Sequence, residues 1–174
     1  CGGSEGPPGG AASDEVSTET TTTADGLTPA VLSDVLAVRR PGVVVEAVDV
    51  LAIKRAGEGV ASTADRVVVE VRYADGTGGD LPTRMVFKTM IATPRAPATM
   101  YENEVRFYGE IRDELPIEAP ASFGSSFDAR SGRFGLLLED LTRRGARFPS
   151  ATGSVTLHEI GSCLLYTSPS PRDR

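Results

Sequence analysis

The sequence predicts an α+β domain: a five-stranded antiparallel sheet with one packed helix, preceded by an N-terminal helix. Three observations carry that prediction. Several segments rich in β-branched residues alternate apolar and polar positions at period two. Clusters of Gly, Asp and Ser separate them at hairpin spacing. One stretch, MYENEVRFYGEI at 100–111, instead repeats its apolar residues at helical spacing.

Taken in order, Thr28 and Pro29 supply an N-cap and a first-turn proline, and AVLSDVLAVRR continues with helical periodicity until Pro41 stops it. Residues 43–54, VVVEAVDVLAIK, read as a strand and run into RAGEGVAST, with its two glycines. In 66–73, RVVVEVRY, the residues Val67, Val69, Val71 and Tyr73 share one face, and Val68, Glu70 and Arg72 share the other. The turn-rich ADGTGGDLP leads to TRMVFKTM, 83–90, where Met85, Phe87 and Thr89 alternate with Val86, Lys88 and Met90. These three strands form a meander. A helix is predicted over 98–113, with Tyr101, Glu104, Val105, Tyr108 and Ile111 in one arc at 100° per residue. Segments 119–127 and 133–140 flank DARSGR and predict a closing hairpin.

Composition narrows the function. With 174 residues, 40% hydrophobic and 24% charged, the chain suits one soluble domain or part of a larger one. No apolar run approaches the roughly 18 residues of a membrane span, and the N-terminus lacks a basic-then-apolar leader, so a cytoplasmic protein is expected. A net charge of -6 argues against a nucleic-acid-binding surface. Cys1 and Cys163 lie near opposite ends and His158 is the single histidine, which argues against a His/Cys zinc site, a Cys-His pair and a typical Ser-His-Asp triad. Chemistry on a small molecule fits this balance better.

Both ends read as foreign to the fold. Residues 1–26 consist largely of Gly, Ser, Thr, Pro and acids and are expected to form a disordered tail, because ordering them would bury almost nothing. The chain begins with Cys rather than Met, which points to a recorded start that is not the biological one. At the other end, SCLLYTSPSPRDR (162–174) interrupts a helix that begins at VTLHEI. One reading is an unstructured tail whose serines accept phosphate. The favoured one is an artefact, because CLLYTSPSPRD resembles a translated sequencing-library adapter; the domain then spans 27–161 and is truncated.

Two charges stand where apolar residues are expected. Lys88 closes an otherwise apolar strand, and Glu104 lies in the apolar arc of the following helix. Each has a plain structural reading: Lys88 snorkels out at the strand end, and Glu104 rotates into solvent at the border of the stripe. An ion pair between them answers both desolvation costs at once. Upstream, GEGVAST (57–63) joins two strands, a setting that excludes the Walker loop and the dinucleotide fingerprint but suits a hairpin covering phosphates through Gly57, Glu58, Gly59 and Ser62. Downstream, FGLLLEDL (134–141) is a buried strand running into Glu139, Asp140 and Leu141. Those acids mark a strand end at the surface, or else their backbone offers a C=O and an N–H to a base while the side chains point away.

With these residues in this order, the chain resembles the N-terminal lobe of the aminoglycoside-phosphotransferase and choline-kinase-like superfamily, especially its ecdysteroid-kinase-like (CHK) branch. The likeness runs from Leu27 to Ile160 through LTPAVLSDVL, GEGVASTADRV, MVFKTM, YENEVRFY and LLLEDL. It implies a protein-kinase-like N-terminal lobe and ATP-dependent phosphoryl transfer to a hydroxyl of a small molecule. It also implies that Lys88 binds phosphate, that Glu104 is its ion-pair partner, that Gly57, Gly59 and Ser62 form the loop, and that Glu139 to Leu141 form the hinge. Relatives hold their general base in an H-x-D or H-G-D loop and bind magnesium through an Asn and a second Asp, all in a C-terminal lobe. Here Asp173 is the only aspartate after Asp140, and no His-Asp loop occurs. The expectation is therefore a nucleotide-binding lobe with no catalytic residue and no metal ligand of its own, inactive as written. ATP is the expected cofactor, with magnesium and the hydroxyl acceptor engaged only in a full-length parent, and neither nucleic acid nor membrane as partner. The alternative is a non-catalytic kinase-like binding or scaffold module.

Overall fold

The computed structural model describes residues 26–58, 62–91, 96–148 and 153–160. The two predicted tails, apart from Gly26, lie outside the described residues. Among the described residues no helix is long and apolar enough to cross a membrane.

Helix α1 (Pro29–Ala37) begins as the sequence dictates: Thr28 Oγ1 accepts the Val31 N–H at 3.3 Å, and Pro29 occupies the first turn. It ends at Ala37 rather than running to Pro41. The N–H groups of Arg39 and Arg40 both turn onto the Leu36 carbonyl, at 3.1 and 2.8 Å, and this closes the last turn.

Three antiparallel strands follow, β1 (Val45–Lys54), β2 (Asp65–Tyr73) and β3 (Arg84–Thr89). Val67, Val69, Val71, Met85 and Phe87 are buried on one face, as the period-two pattern requires. The chain then crosses through α2 (Ala98–Arg106), whose last turns change winding: a π turn at Phe107–Ile111 and a 3-10 turn at Arg112–Glu114. A π turn bonds i to i+5 and so rotates the residues beyond it. Ile111, expected on the buried arc, is for that reason 45% exposed, whereas Tyr101 and Val105 are buried.

The closing hairpin consists of β4 (Ser122–Asp128) and β5 (Arg133–Glu139). Its turn is closed by the Gly132 N–H on the Asp128 carbonyl at 2.8 Å, with Gly132 at φ +68. Sheet order is β1-β2-β3-β5-β4, so the chain travels to the far edge before returning beside β3. Residue character explains that choice. In β5, Phe134 through Leu138 are buried on both faces, which demands a central place, whereas SFGSSFD is small and polar enough for an edge.

Helices cover both faces of the sheet. Leu32, Val35 and Leu36 of α1 pack with Val67, Val69, Met85, Phe87 and Leu137. Tyr101 and Val105 of α2 pack with Phe134, Leu136 and Leu138 on the opposite side. Alternation along β5 thus sends Leu137 to one helix and its neighbours to the other. At β4, a Cβ on Gly124 would lie 2.4 Å from the Val35 carbonyl oxygen, so α1 comes this near only because the position is glycine.

Candidate functional site

The face of the sheet beneath α2 opens into a cleft of about 210 Å³, floored by Val68, Val86 and Leu138. Lys88 projects into it because it alternates with Phe87, whose ring belongs to the α1 core. Glu104 comes down from α2, and its Oε1 accepts a hydrogen bond from Lys88 Nζ within an ion pair. The two side chains are 20% and 29% exposed, so the pair is partly shielded yet reachable from the cleft. The carboxylate in the apolar arc therefore faces a cation.

Tyr101 holds α2 at the distance this pair needs. Its ring stacks on Phe134 with centroids 4.7 Å apart and planes 12° from parallel, while its hydroxyl donates to the Thr63 carbonyl at 3.0 Å. Two turns further on, Tyr108 also lines the cleft. Burial, followed by the nearby Glu104 charge, pushes its hydroxyl above the ordinary 10.0, with the Arg112 guanidinium opposing the shift. At neutral pH it is a protonated donor.

The glycine hairpin is only partly in view. Gly57 adopts φ +83, a left-handed conformation that favours glycine. Glu58 closes the first turn on Arg55: its N–H donates to the Arg55 carbonyl and its carboxylate accepts the Arg55 N–H, both at 3.1 Å. Ser62 Oγ donates to the Ala64 carbonyl at 2.8 Å. Gly59 lies outside the described residues. Gly57, Glu58 and Ser62 do not line the cleft, whereas Lys88, Glu104, Glu139, Asp140 and Leu141 do.

Between the ends of β1 and β3 lies a residue that the sequence reading missed. Asp65 is buried, with Oδ1 accepting the Ala56 N–H and Oδ2 accepting the Ile91 N–H, each at 2.8 Å. It binds the end of the β1 hairpin to the end of β3. An acid opening a strand just after a run of small residues was the available signal.

At the other end of the cleft, the expectation that both acidic side chains point away needs correction. Asp140 is 3% exposed. It accepts from Arg84 Nε at 2.8 Å, from the Thr142 hydroxyl at 2.6 Å and from the Thr142 N–H at 3.1 Å, and so caps a 3-10 turn at Leu141–Arg144. Burial pushes its carboxyl up, but the Thr142 hydroxyl, the Arg84 guanidinium and the Thr142 N–H outweigh it and hold the group below its ordinary 3.8. Glu139 pairs its N–H with the Ala121 carbonyl at 2.9 Å, accepts the Ala121 N–H at 3.2 Å, and meets Arg144 at 3.5 Å. Both acids thus fix the path of the chain leaving β5. Among the described residues no group of three His, Cys, Asp or Glu is placed to hold a metal ion.

A larger groove, about 620 Å³, opens on the α1 face between Val31, Phe87 and Ile91, and it holds none of the site residues expected from the sequence. No protein-family profile, no curated protein and no solved structure matches this chain. The functional reading rests on the residues themselves.

Proposed function

We propose that the chain is the nucleotide-gripping lobe of an ATP-dependent phosphotransferase that acts on a hydroxyl of a small molecule. One observation carries the reading: the Lys88–Glu104 ion pair, built across two elements, stands on the wall of a cleft whose far end is the backbone turn at 139–141. A surface ion pair adds little stability. One positioned inside a cleft leaves an ammonium oriented with donors to spare for phosphate oxygens.

In this reading the apolar floor of Val68, Val86 and Leu138 takes the adenine. The Glu139 carbonyl and the Leu141 N–H face its edge, and Leu141, as first residue of a helical turn, has no intrahelical acceptor for that N–H. Lys88 orients the α- and β-phosphates. The cleft is smaller than the roughly 300–1,000 Å³ of complete ligand sites, which suits one wall of a site shared with a second lobe. Magnesium fits poorly here, since Glu104 is held by Lys88 and Asp140 by Arg84, so its ligands belong to that second lobe. The reading places the protein in the cytoplasm, with ATP, and assigns the base that receives the hydroxyl proton to the second lobe, so this lobe by itself does not turn over.

The second reading is a module that binds nucleotide through the same pair and performs no chemistry. Source DNA read past Gly161 separates the two: a continuing frame with an H-x-D loop supports the phosphotransferase, and a stop after native sequence supports the module. Equilibrium dialysis with labelled ATP tests both. Lys88→Ala is expected to weaken binding about tenfold or more, on the order of 1.4 kcal/mol. Unchanged affinity in that variant contradicts the assigned role.

A further inference from the structure

The cleft carries more positive charge than one phosphate-binding lysine requires. Lys54 on β1 lies directly opposite Arg66 on β2, and Arg66 lies directly opposite Lys88 on β3. Directly opposed residues share a face with Cβ atoms about 4.5–5.5 Å apart, and like charges so placed repel. All three line the cleft. Composition does not account for the row: the chain is acidic, at -6, and its only two lysines are Lys54 and Lys88.

Neighbouring acids neutralise only Lys88, at one end of the row. Of the carboxylates lining the cleft, Glu104 is paired with Lys88, Asp140 with Arg84 and Glu139 with Arg144. Among the described residues Lys54 and Arg66 have no ion pair, and the Arg66 Nε is buried without a hydrogen-bond partner. Arg66 thus stands in register between an unpaired Lys54 and a Lys88 held by Glu104, with its own Nε buried and unsatisfied, an arrangement that costs free energy until an anion arrives.

We infer that Lys54, Arg66 and Lys88 form one cationic ladder that binds a polyphosphate across three strands, with Arg66 supplying a guanidinium fork between two lysine point charges. The inference rests on the proposed nucleotide site for its ligand class, a nucleoside triphosphate, and extends that site by two residues. Lys88 takes the phosphates nearest the base, and Arg66 and Lys54 take the more distal ones. Affinity therefore rises in the order adenosine, AMP, ADP, ATP.

Calorimetric titration of the full chain at low ionic strength, with adenosine, ATP and inorganic tripolyphosphate as probes, tests this. Arg66→Met and Lys54→Met are each expected to weaken ATP and tripolyphosphate about five- to tenfold and to leave adenosine unchanged, while Arg66→Lys keeps most of the affinity. Folding is checked by melting without ligand. Because Arg66→Met relieves repulsion, its Tm is expected to stay level or rise, and a clear fall would show a structural role and overturn the ladder. Wild-type affinity for ATP in both methionine variants, together with loss in Lys88→Met, overturns the ladder and leaves the nucleotide reading intact. Tripolyphosphate binding that depends on the ladder, with no preference for ATP and no adenosine binding, supports the ladder and removes the nucleotide. Binding of neither ATP nor tripolyphosphate overturns both.

Discussion

Glu104 and Lys88 each answer the other's desolvation cost, and their partial exposure sets the scale of the effect. Fully exposed pairs contribute about 0–1 kcal/mol, and breaking a fully buried pair costs about 3–5 kcal/mol. At 29% and 20% exposure this pair falls between them. Glu104→Gln is expected to destabilise the fold by about 1–2 kcal/mol in a urea titration, because the amide keeps one acceptor but loses the charge. Asp140 behaves differently with pH. Its folded carboxyl is held below 3.8, so its stabilisation is complete above its unfolded value and disappears as pH falls through the folded one. Asp140→Asn is expected to lower Tm at pH 7 and to flatten the acid limb below about pH 4; an acid limb identical to that of the parent would contradict the assignment. The resolution of Glu104 into an ion pair was legible in the sequence, because two misplaced charges in adjacent elements point to one another. Burial of Asp140 was not legible, because its partner Arg84 is 56 positions away and only strand pairing brings them together.

Elements are placed by a few polar clamps as much as by apolar burial. Asp65 satisfies two backbone N–H groups from different segments, so Asp65→Ala strands both and is expected to cost roughly 2–4 kcal/mol, with faster amide exchange at Ile91. Retained protection at Ile91 would contradict the clamp. Gly124→Ala drives a methyl group onto the α1 backbone, and about 1–3 kcal/mol of destabilisation is expected in the same assay. Strands were legible from period two, and α1 from its cap and proline. The position of β5 beside β3 was not, since a hairpin can dock by either strand and burial decides between them. The π turn was equally hidden. It brings Gly109 against Ser125 of β4, where an added Cβ would lie 2.9 Å from the hydroxyl, a constraint visible only once the helix is docked.

At the scale of the molecule, one sheet carries α1 on one face and α2 with the cleft on the other. Beyond α2 and the turn at 139–141, Ile111, Leu115, Ile117 and Phe148 are 39–50% exposed, apolar surface of the kind that a second lobe would cover. Self-association is therefore expected in sedimentation velocity, with the mean sedimentation coefficient rising with concentration; a single monomeric boundary at every concentration would contradict that. That Lys88, Glu104 and residues 139–141 line one cleft was legible because local pattern exposes them. Lys54 and Arg66 were not, because their meaning depends on strand register across the β1–β2 hairpin. The central claim, that the Lys88–Glu104 pair grips a nucleotide, is tested most directly by titrating ATP into isotopically labelled chain and following backbone amide shifts. The expected result is saturable movement clustered at Lys88, Glu104 and 139–141, reduced in Glu104→Gln. Shifts that are absent, or confined to the groove around Val31 and Ile91, would contradict it.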